Sequence, residues 1–127
     1  MPAKNKILIV DDDPDICHFF QKILTEMGYE VNTAGGGRES LAQIRRDPPD
    51  VLFLDIKMPK MDGLECLRRI RKIKRKLPIV MITGYGDLKS AQEAMRFGAD
   101  EYISKPFDLE NIRRIITELL GERVNSG

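Results

Sequence analysis

Acidic side chains follow two aliphatic segments of this sequence in a pattern that suits cation binding. Asp11, Asp12 and Asp13 come directly after one such segment, and Asp55 comes directly after another. Neighbouring carboxylates repel one another, by about 4 kcal/mol for a pair ~4 Å apart at an effective dielectric of 20. A cluster of acids therefore needs a cation, and oxygen ligands without His or Cys select a hard ion such as Mg²⁺.

A hydroxyl group and an ammonium group follow two further aliphatic segments. Thr83 ends the run 79–83, and Lys105 with Pro106 comes directly after the short run 101–104. Taken alone, a threonine at this place is simply a good strand former, and a lysine before proline suits the surface. The two residues gain a functional meaning only if the fold brings them to the acids.

Short aliphatic runs alternate with helical patterns along the chain. The runs at 7–10, 29–34, 51–54, 79–83 and 101–104 are typical of strands that are covered on both faces. Apolar residues at helical spacing lie between and after them, over 16–27, 39–46, 64–73, 88–97 and 109–120. Asp13, Asp87 and Asp108 are suited to helix N-caps, and Gly28 and Gly98 to helix ends. Alternating strands and helices predict an α/β fold with a doubly wound parallel sheet.

The parallel sheet places the candidate residues together. In such sheets ligands bind beyond the carboxyl ends of the strands. All the candidate groups follow a strand, so one edge of the sheet is expected to carry several carboxylates, a hydroxyl and an ammonium group.

Length and composition restrict the class of protein. The chain has 127 residues with 21 Lys or Arg and 20 Asp or Glu, giving a net charge of +1. We expect one domain over 1–127, with a core from about 5 to 121. The balanced charge argues against nucleic-acid binding as its own role. No apolar run reaches the ~18–20 residues of a membrane span, and two cysteines without metal-ligand spacing favour a reducing cytoplasm.

Together these motifs resemble the receiver domain of two-component response regulators. The resemblance rests on Asp11-Asp12, on Leu-Asp-Ile-Lys-Met-Pro-Lys-Met-Asp-Gly at 54–63, on Thr83-Gly84 and on Lys105-Pro106. It covers nearly the whole chain, from about residue 7 to residue 120, in the family's order. It implies a flavodoxin-like (βα)5 fold with strand order 2-1-3-4-5.

The resemblance also implies a phosphoryl-transfer role for the acids. Asp55 would be the phosphoacceptor, attacking the phosphorus of a phosphohistidine on a sensor histidine kinase or a phosphotransfer protein. Asp12, Asp55 and the backbone carbonyl of Lys57 would hold Mg²⁺ or Mn²⁺, and Asp11 would act through a bound water. Acyl phosphate formation at a carboxylate is consistent with these groups, since phosphoryl transfer needs an in-line nucleophile and nearby cations.

The same resemblance implies a switch. Thr83 and Lys105 would bind phosphoryl oxygens, and Tyr102 would turn inward when the threonine moves. Pro106 would follow a cis peptide bond that aims Lys105 into the site. The output would be a population shift on the face formed by the fourth helix, fifth strand and fifth helix, where an effector, an output domain or a second copy would bind.

The sequence departs from the family pattern beside the site. Lys57 stands two residues after Asp55, where a neutral polar residue is frequent, and Tyr85 stands two residues after Thr83. Either side chain could shield an acyl phosphate or obstruct the attacking water. Substitution of Lys57 by Asn is therefore expected to change the lifetime of phosphorylated Asp55.

Other classes of protein fit parts of the pattern. Asp11 and Asp13 match the acid pair of aspartyl-phosphate hydrolases, but Asp15 stands where Thr or Val is expected. A calcium loop from the same acids fails at Ile16, where Gly is required, and at Lys22, where a bidentate acid belongs. A nucleotide- or flavin-binding module would need a Gly-rich phosphate cradle after the first strand. The acids that follow this strand would instead repel phosphate. A receiver that binds partners without being phosphorylated stays open.

A basic stretch covers residues 68–76. Nucleic-acid contact is one interpretation of it. A solvated helix end, with cations suited to the helix dipole, is the favoured interpretation, and contact with an acidic partner stays open.

Overall fold

Five strands and five helices alternate in the computed structural model, which describes residues 4–84 and 86–126, with side chains as far as residue 121. The strands are β1 (Lys6–Val10), β2 (Glu30–Ala34), β3 (Val51–Asp55), β4 (Ile79–Thr83) and β5 (Glu101–Ser104). The helices are α1 (Pro14–Glu26), α2 (Gly37–Arg46), α3 (Gly63–Ile73), α4 (Leu88–Arg96) and α5 (Leu109–Ser126). The predicted alternation is confirmed, although α5 continues past the residue 120 at which its apolar pattern ends.

The strands form one parallel sheet in the order β2-β1-β3-β4-β5, which confirms the predicted fold class. Val10 lies opposite Leu54 where β1 pairs with β3, so Asp11 and Asp55 leave the sheet at the same edge. The strand order reverses between β1 and β3, and ligand sites form at such a switch point.

The core consists of two apolar layers, one on each face of the sheet. Alternate residues of β1 enter different layers, because side chains of a strand point alternately to its two faces. Ile7 and Ile9 pack with α1 and α5, whereas Leu8 and Val10 pack with α2, α3 and α4. All four side chains are buried, which explains why the strand reads as one continuous apolar run.

Aspartate side chains cap the N-terminal ends of most of the helices near the site. Asp13, Asp62 and Asp108 accept hydrogen bonds from amides of the first turns of α1, α3 and α5, at 2.9, 2.9 and 3.0 Å. Asp87 occupies the N-cap position of α4 but makes no capping hydrogen bond with its side chain. The predicted N-cap position of Asp87 is therefore confirmed.

Arg71 corrects the interpretation of the basic stretch. Its guanidinium makes five hydrogen bonds, to the carbonyls of Gly98, Lys74 and Leu77 and to the carboxylate of Asp100. The side chain is 17% exposed, so the expected solvated helix end is wrong for this residue. Arg71 joins the end of α3 to the turn between α4 and β5.

No helix within the described residues is both long enough and apolar enough to cross a membrane.

Candidate functional site

Three carboxylates converge beyond the carboxyl ends of β1 and β3. One oxygen each of Asp11, Asp12 and Asp55 lies within 4.8 Å of the others. Asp11 is buried, Asp55 is half-buried and Asp12 is exposed, so the cluster is open to solvent on one side. An all-oxygen donor set with an open side fits a hard divalent cation that keeps several waters.

Local hydrogen bonds fix two of these carboxylates. Asp11 accepts a hydrogen bond of 2.9 Å from the amide of Asp13, the residue that also caps α1. Asp55 is the last residue of β3 and accepts a longer hydrogen bond, 3.4 Å, from the amide of Lys57. The start of α1 and the β3–α3 loop therefore set the geometry of the acid cluster.

The cluster is electrostatically unfavourable without a cation. Burial and, after it, the nearby charges of Asp11 and Asp12 together raise the pKa of Asp55 to about 7. Burial also raises the pKa of Asp11, although Lys105 acts in the opposite direction. A bound divalent cation would favour ionised carboxylates at this place, so the electrostatics agree with the donor chemistry.

The hydroxyl and the ammonium group expected from the sequence lie on the same cleft. Thr83 is buried at the end of β4, and the amide of Lys105 donates to its carbonyl at 3.4 Å. The peptide bond between Lys105 and Pro106 is cis. The cleft has a volume of about 340 Å³ and is lined by Asp11, Asp12, Asp13, Asp55, Ile56, Lys57, Ile82, Thr83, Gly84 and Lys105.

The remaining sequence-predicted residues lie around this cleft. The exposed Lys57 contacts Asp87, with 3.4 Å between its ammonium nitrogen and a carboxylate oxygen. Tyr102 is half-buried and packs against the apolar layer of α2, α3 and α4. Tyr85, the second departure from the family pattern, lies outside the described residues.

Gly63 belongs to the motif at 54–63, but the sequence did not reveal its role in the site. A Cβ atom built on it would overlap the carbonyl oxygen of Asp55 and lie 2.5 Å from the Cα atom of Ile56. The start of α3 thus packs directly on the backbone that carries the central carboxylate. The glycine after Asp62 was a visible signal, but the sequence alone does not show which backbone approaches it.

Phe107 is a second residue that was not singled out. Its ring stacks on Phe19 with centroids 5.7 Å apart and meets the edge of Phe20 at 5.1 Å. These contacts attach the loop that carries Lys105 to α1. The three phenylalanines were visible in the sequence, but their meeting depends on the packing of two distant segments.

A family model confirms the class of protein that the fold and the cleft define. The model described as the response regulator receiver domain matches residues 7–117. The chain therefore belongs to the receiver domain family of two-component response regulators, and the resemblance drawn from its motifs is confirmed.

The chain matches very different shares of its relatives' lengths. Regulatory protein AtoC of Escherichia coli (strain K12) is 37% identical over 120 residues, which is 94% of this chain and 26% of that protein. Sporulation initiation phosphotransferase F of Bacillus subtilis (strain 168) is 35% identical over 94% of this chain and 97% of that protein. The chain thus spans about a quarter of one relative and nearly all of the other.

Solved structures agree with the fold. A CheY-like response regulator receiver domain protein from Methanospirillum hungatei superimposes with a TM-score of 0.92 at 36% identity, over 98% of this chain and 100% of that one. The receiver domain of NtrX from Brucella abortus gives a TM-score of 0.87 at 38% identity, over 91% and 98%.

Proposed function

We propose that the domain accepts a phosphoryl group on Asp55 in a reaction that depends on Mg²⁺ or Mn²⁺. The observation that carries this proposal is the convergence of the Asp11, Asp12 and Asp55 carboxylates within 4.8 Å, at the switch point of the sheet. In the proposed site Asp12, Asp55 and the backbone carbonyl of Lys57 hold the cation, and Asp11 acts through a water.

The proposed chemistry is a displacement at phosphorus. A carboxylate oxygen of Asp55 attacks the phosphorus of a phosphohistidine, supplied by a sensor histidine kinase or a phosphotransfer protein. The new oxygen–phosphorus bond forms as the phosphorus–nitrogen bond breaks, and the electron pair stays on the imidazole nitrogen. The divalent cation, when bound, neutralises charge on the transferring group.

Two further residues act on the phosphoryl oxygens in this proposal. The ammonium group of Lys105 pairs with one oxygen, and the hydroxyl of Thr83 donates to another. Both residues line the same cleft as Asp55, which supports their assignment. Tyr102 on β5 then follows Thr83 inward, and water later hydrolyses the acyl phosphate slowly.

The proposed output is a change of partner rather than a released product. The added charge and acceptor oxygens at Asp55 shift the population of the face formed by α4, β5 and α5. An effector, an output domain or a second copy binds that face. Relatives such as AtoC are much longer than this chain, which supports an output of this kind. We place the domain in the cytoplasm as one unit over 1–127, with a core from about 5 to 121.

The experiment that tests this function is phosphorylation by a small phosphodonor such as acetyl phosphate. Wild type with Mg²⁺ is expected to gain the mass of one phosphate, whereas Asp55→Asn gains none. A gain in both proteins, or in neither, would overturn the assignment of Asp55. A turnover assay with phosphate esters separates the receiver from an aspartyl-phosphate hydrolase, because a receiver leaves the esters intact.

A further inference from the structure

The two ends of α4 are held in different ways. At the C-terminal end, two nitrogens of Arg71 donate to the carbonyl of Gly98, at 2.9 and 2.7 Å. The guanidinium of Arg68 lies 5.2 Å from the ring centroid of Phe97. Two residues of α3 therefore attach this end of α4 to the body of the domain, far from the acid cluster.

At the N-terminal end, Asp87 forms an ion pair with a lysine of the site. One carboxylate oxygen of Asp87 is shielded from solvent and has no hydrogen-bond partner within the described residues. Its cation contact is the ammonium group of Lys57, at 3.4 Å. The nearby Ser90 side chain and then Lys57 lower the pKa of Asp87, so its carboxylate is charged at neutral pH.

Lys57 also belongs to the cleft of the acid cluster. It lines that cleft together with Asp55 and Lys105. Its side chain is 78% exposed, whereas that of Asp87 is 19% exposed, so the lysine is the partner that can move. The acyl phosphate carries about −1.5 to −2 charges and three strong acceptor oxygens, in place of the single charge of the Asp55 carboxylate.

We propose that Lys57 changes partner when Asp55 is phosphorylated: its ammonium group leaves Asp87 and binds a phosphoryl oxygen. This inference rests on the proposed function and deepens it, because it gives Lys57 two roles. It positions the phosphoryl group as a second cation beside Lys105, and its departure releases the N-terminal end of α4. Arg71 keeps the C-terminal end in place, so α4 pivots about that end.

Loss of the pair between Lys57 and Asp87 should have a small effect on stability, confined to one end of α4. Ion pairs of this exposure contribute weakly, and their loss changes a local opening equilibrium by about two- to fivefold. The first turn of α4 should respond and the last turn should not. Amide hydrogen exchange, followed residue by residue by NMR, separates the two ends of the helix.

The test compares four proteins, each with and without acetyl phosphate and Mg²⁺. Lys57→Gln and Asp87→Asn remove the two charges, and Asn keeps the preference for an N-cap. Lys89→Gln is the matched control, since Lys89 is an exposed lysine in the first turn of the same helix. The mass of each sample records its phosphorylation.

Without the phosphodonor, Lys57→Gln and Asp87→Asn are expected to exchange about two- to fivefold faster in the first turn, with the last turn and Lys89→Gln unchanged. In phosphorylated wild type, the exchange rate of the first turn is expected to rise by the same factor. In Lys57→Gln, phosphorylation is expected to raise this rate little further. Equal exchange in all four proteins, the same rise in Lys89→Gln, or an undiminished phosphorylation response in Lys57→Gln would overturn the proposal. The mass measurement separates two causes of such a result. If wild type gains no phosphate, the proposed function is wrong as well. If wild type gains phosphate normally, only the proposed change of partner by Lys57 is wrong.

Discussion

The hydroxyl of Thr83 donates a hydrogen bond of 3.2 Å to the backbone carbonyl of Ile103 on the neighbouring strand. Thr83 is buried, so its hydroxyl is committed to β5 in this structure. If the hydroxyl is to bind a phosphoryl oxygen, it must leave this carbonyl. Phosphorylation at the end of β3 would then remove a hydrogen bond from β5, at the residue next to Tyr102.

Substitution of Thr83 by valine tests this coupling. Valine keeps the shape but lacks the hydroxyl, so phosphorylation of Asp55 should still occur while its effect on β5 is lost. We expect the amide chemical-shift changes over 101–104 on phosphorylation to fall to less than half, whereas Thr83→Ser should retain them. Changes of wild-type size in Thr83→Val would contradict a role for the hydroxyl.

The raised pKa of Asp55 predicts how stability depends on pH in the absence of metal. The folded pKa is about 7 and the ordinary value is 3.8, so the folded state holds a proton that the unfolded state loses between these values. Stability should therefore fall as the pH rises from about 4 to about 7. Asp55→Asn should remove this loss and be more stable than wild type at pH 8, by about 1–2 kcal/mol after allowance for partial exposure.

Urea denaturation at pH 5 and pH 8 in the presence of EDTA measures this difference. Glu26→Gln removes an exposed carboxylate from α1 and should leave the pH dependence unchanged. Saturating Mg²⁺ should stabilise wild type more than Asp55→Asn. A wild-type protein that becomes more stable from pH 5 to pH 8 without metal would contradict the account.

Substitution of Gly63 by alanine should disturb the site through the backbone. The added methyl group would overlap the carbonyl of Asp55 and the Cα atom of Ile56, and neither can yield without moving the end of β3. We expect a loss of about 2 kcal/mol or more in the free energy of unfolding. Slower phosphorylation by acetyl phosphate should accompany it.

Gly36→Ala is the control for this change. Gly36 has an extended backbone, and a Cβ atom built there meets nothing within 4 Å. Its stability should stay within about 0.5 kcal/mol of wild type. Equal effects of the two alanine substitutions would show that the close approach at Gly63 does not matter.

Arg71→Ala should be among the more destabilising changes in α3. It removes five hydrogen bonds and leaves the carbonyls of Leu77 and Gly98 without this partner, so we expect a loss of about 2–4 kcal/mol. Arg69→Ala breaks an exposed pair with Glu65 in the same helix and should cost at most about 0.5 kcal/mol. Urea denaturation of both variants gives the comparison, and similar midpoints would contradict it.

The sequence predicted the fold and the meeting of the acids for a simple reason. Continuous apolar runs identify strands buried on both faces, and parallel strands end at one edge of the sheet. Asp11, Asp55 and Thr83 each stand at the carboxyl end of such a run, so their proximity follows from the topology alone. Local N-caps were likewise readable, because a cap depends on residues that are neighbours in sequence.

The contacts that could not be predicted are those between segments joined only by packing. The pairing of Lys57 with Asp87 depends on how a loop and a helix end approach each other across the cleft. Arg71 was interpreted as one more cation of a solvated stretch. Most of its partners are backbone carbonyls, which every residue has, so the sequence cannot indicate them. The close approach of Gly63 to the backbone of Asp55 could not be predicted for the same reason.

The most direct test of the central claim locates the phosphoryl group itself. Borohydride reduces an acyl phosphate to an alcohol, so treatment of the phosphorylated protein should convert Asp55 into homoserine, which peptide mass mapping detects. The account predicts homoserine at position 55 in wild type incubated with acetyl phosphate and Mg²⁺, and none when EDTA replaces the metal. Homoserine at another aspartate, or at position 55 without metal, would contradict a cation held by the acid cluster for phosphoryl transfer to Asp55.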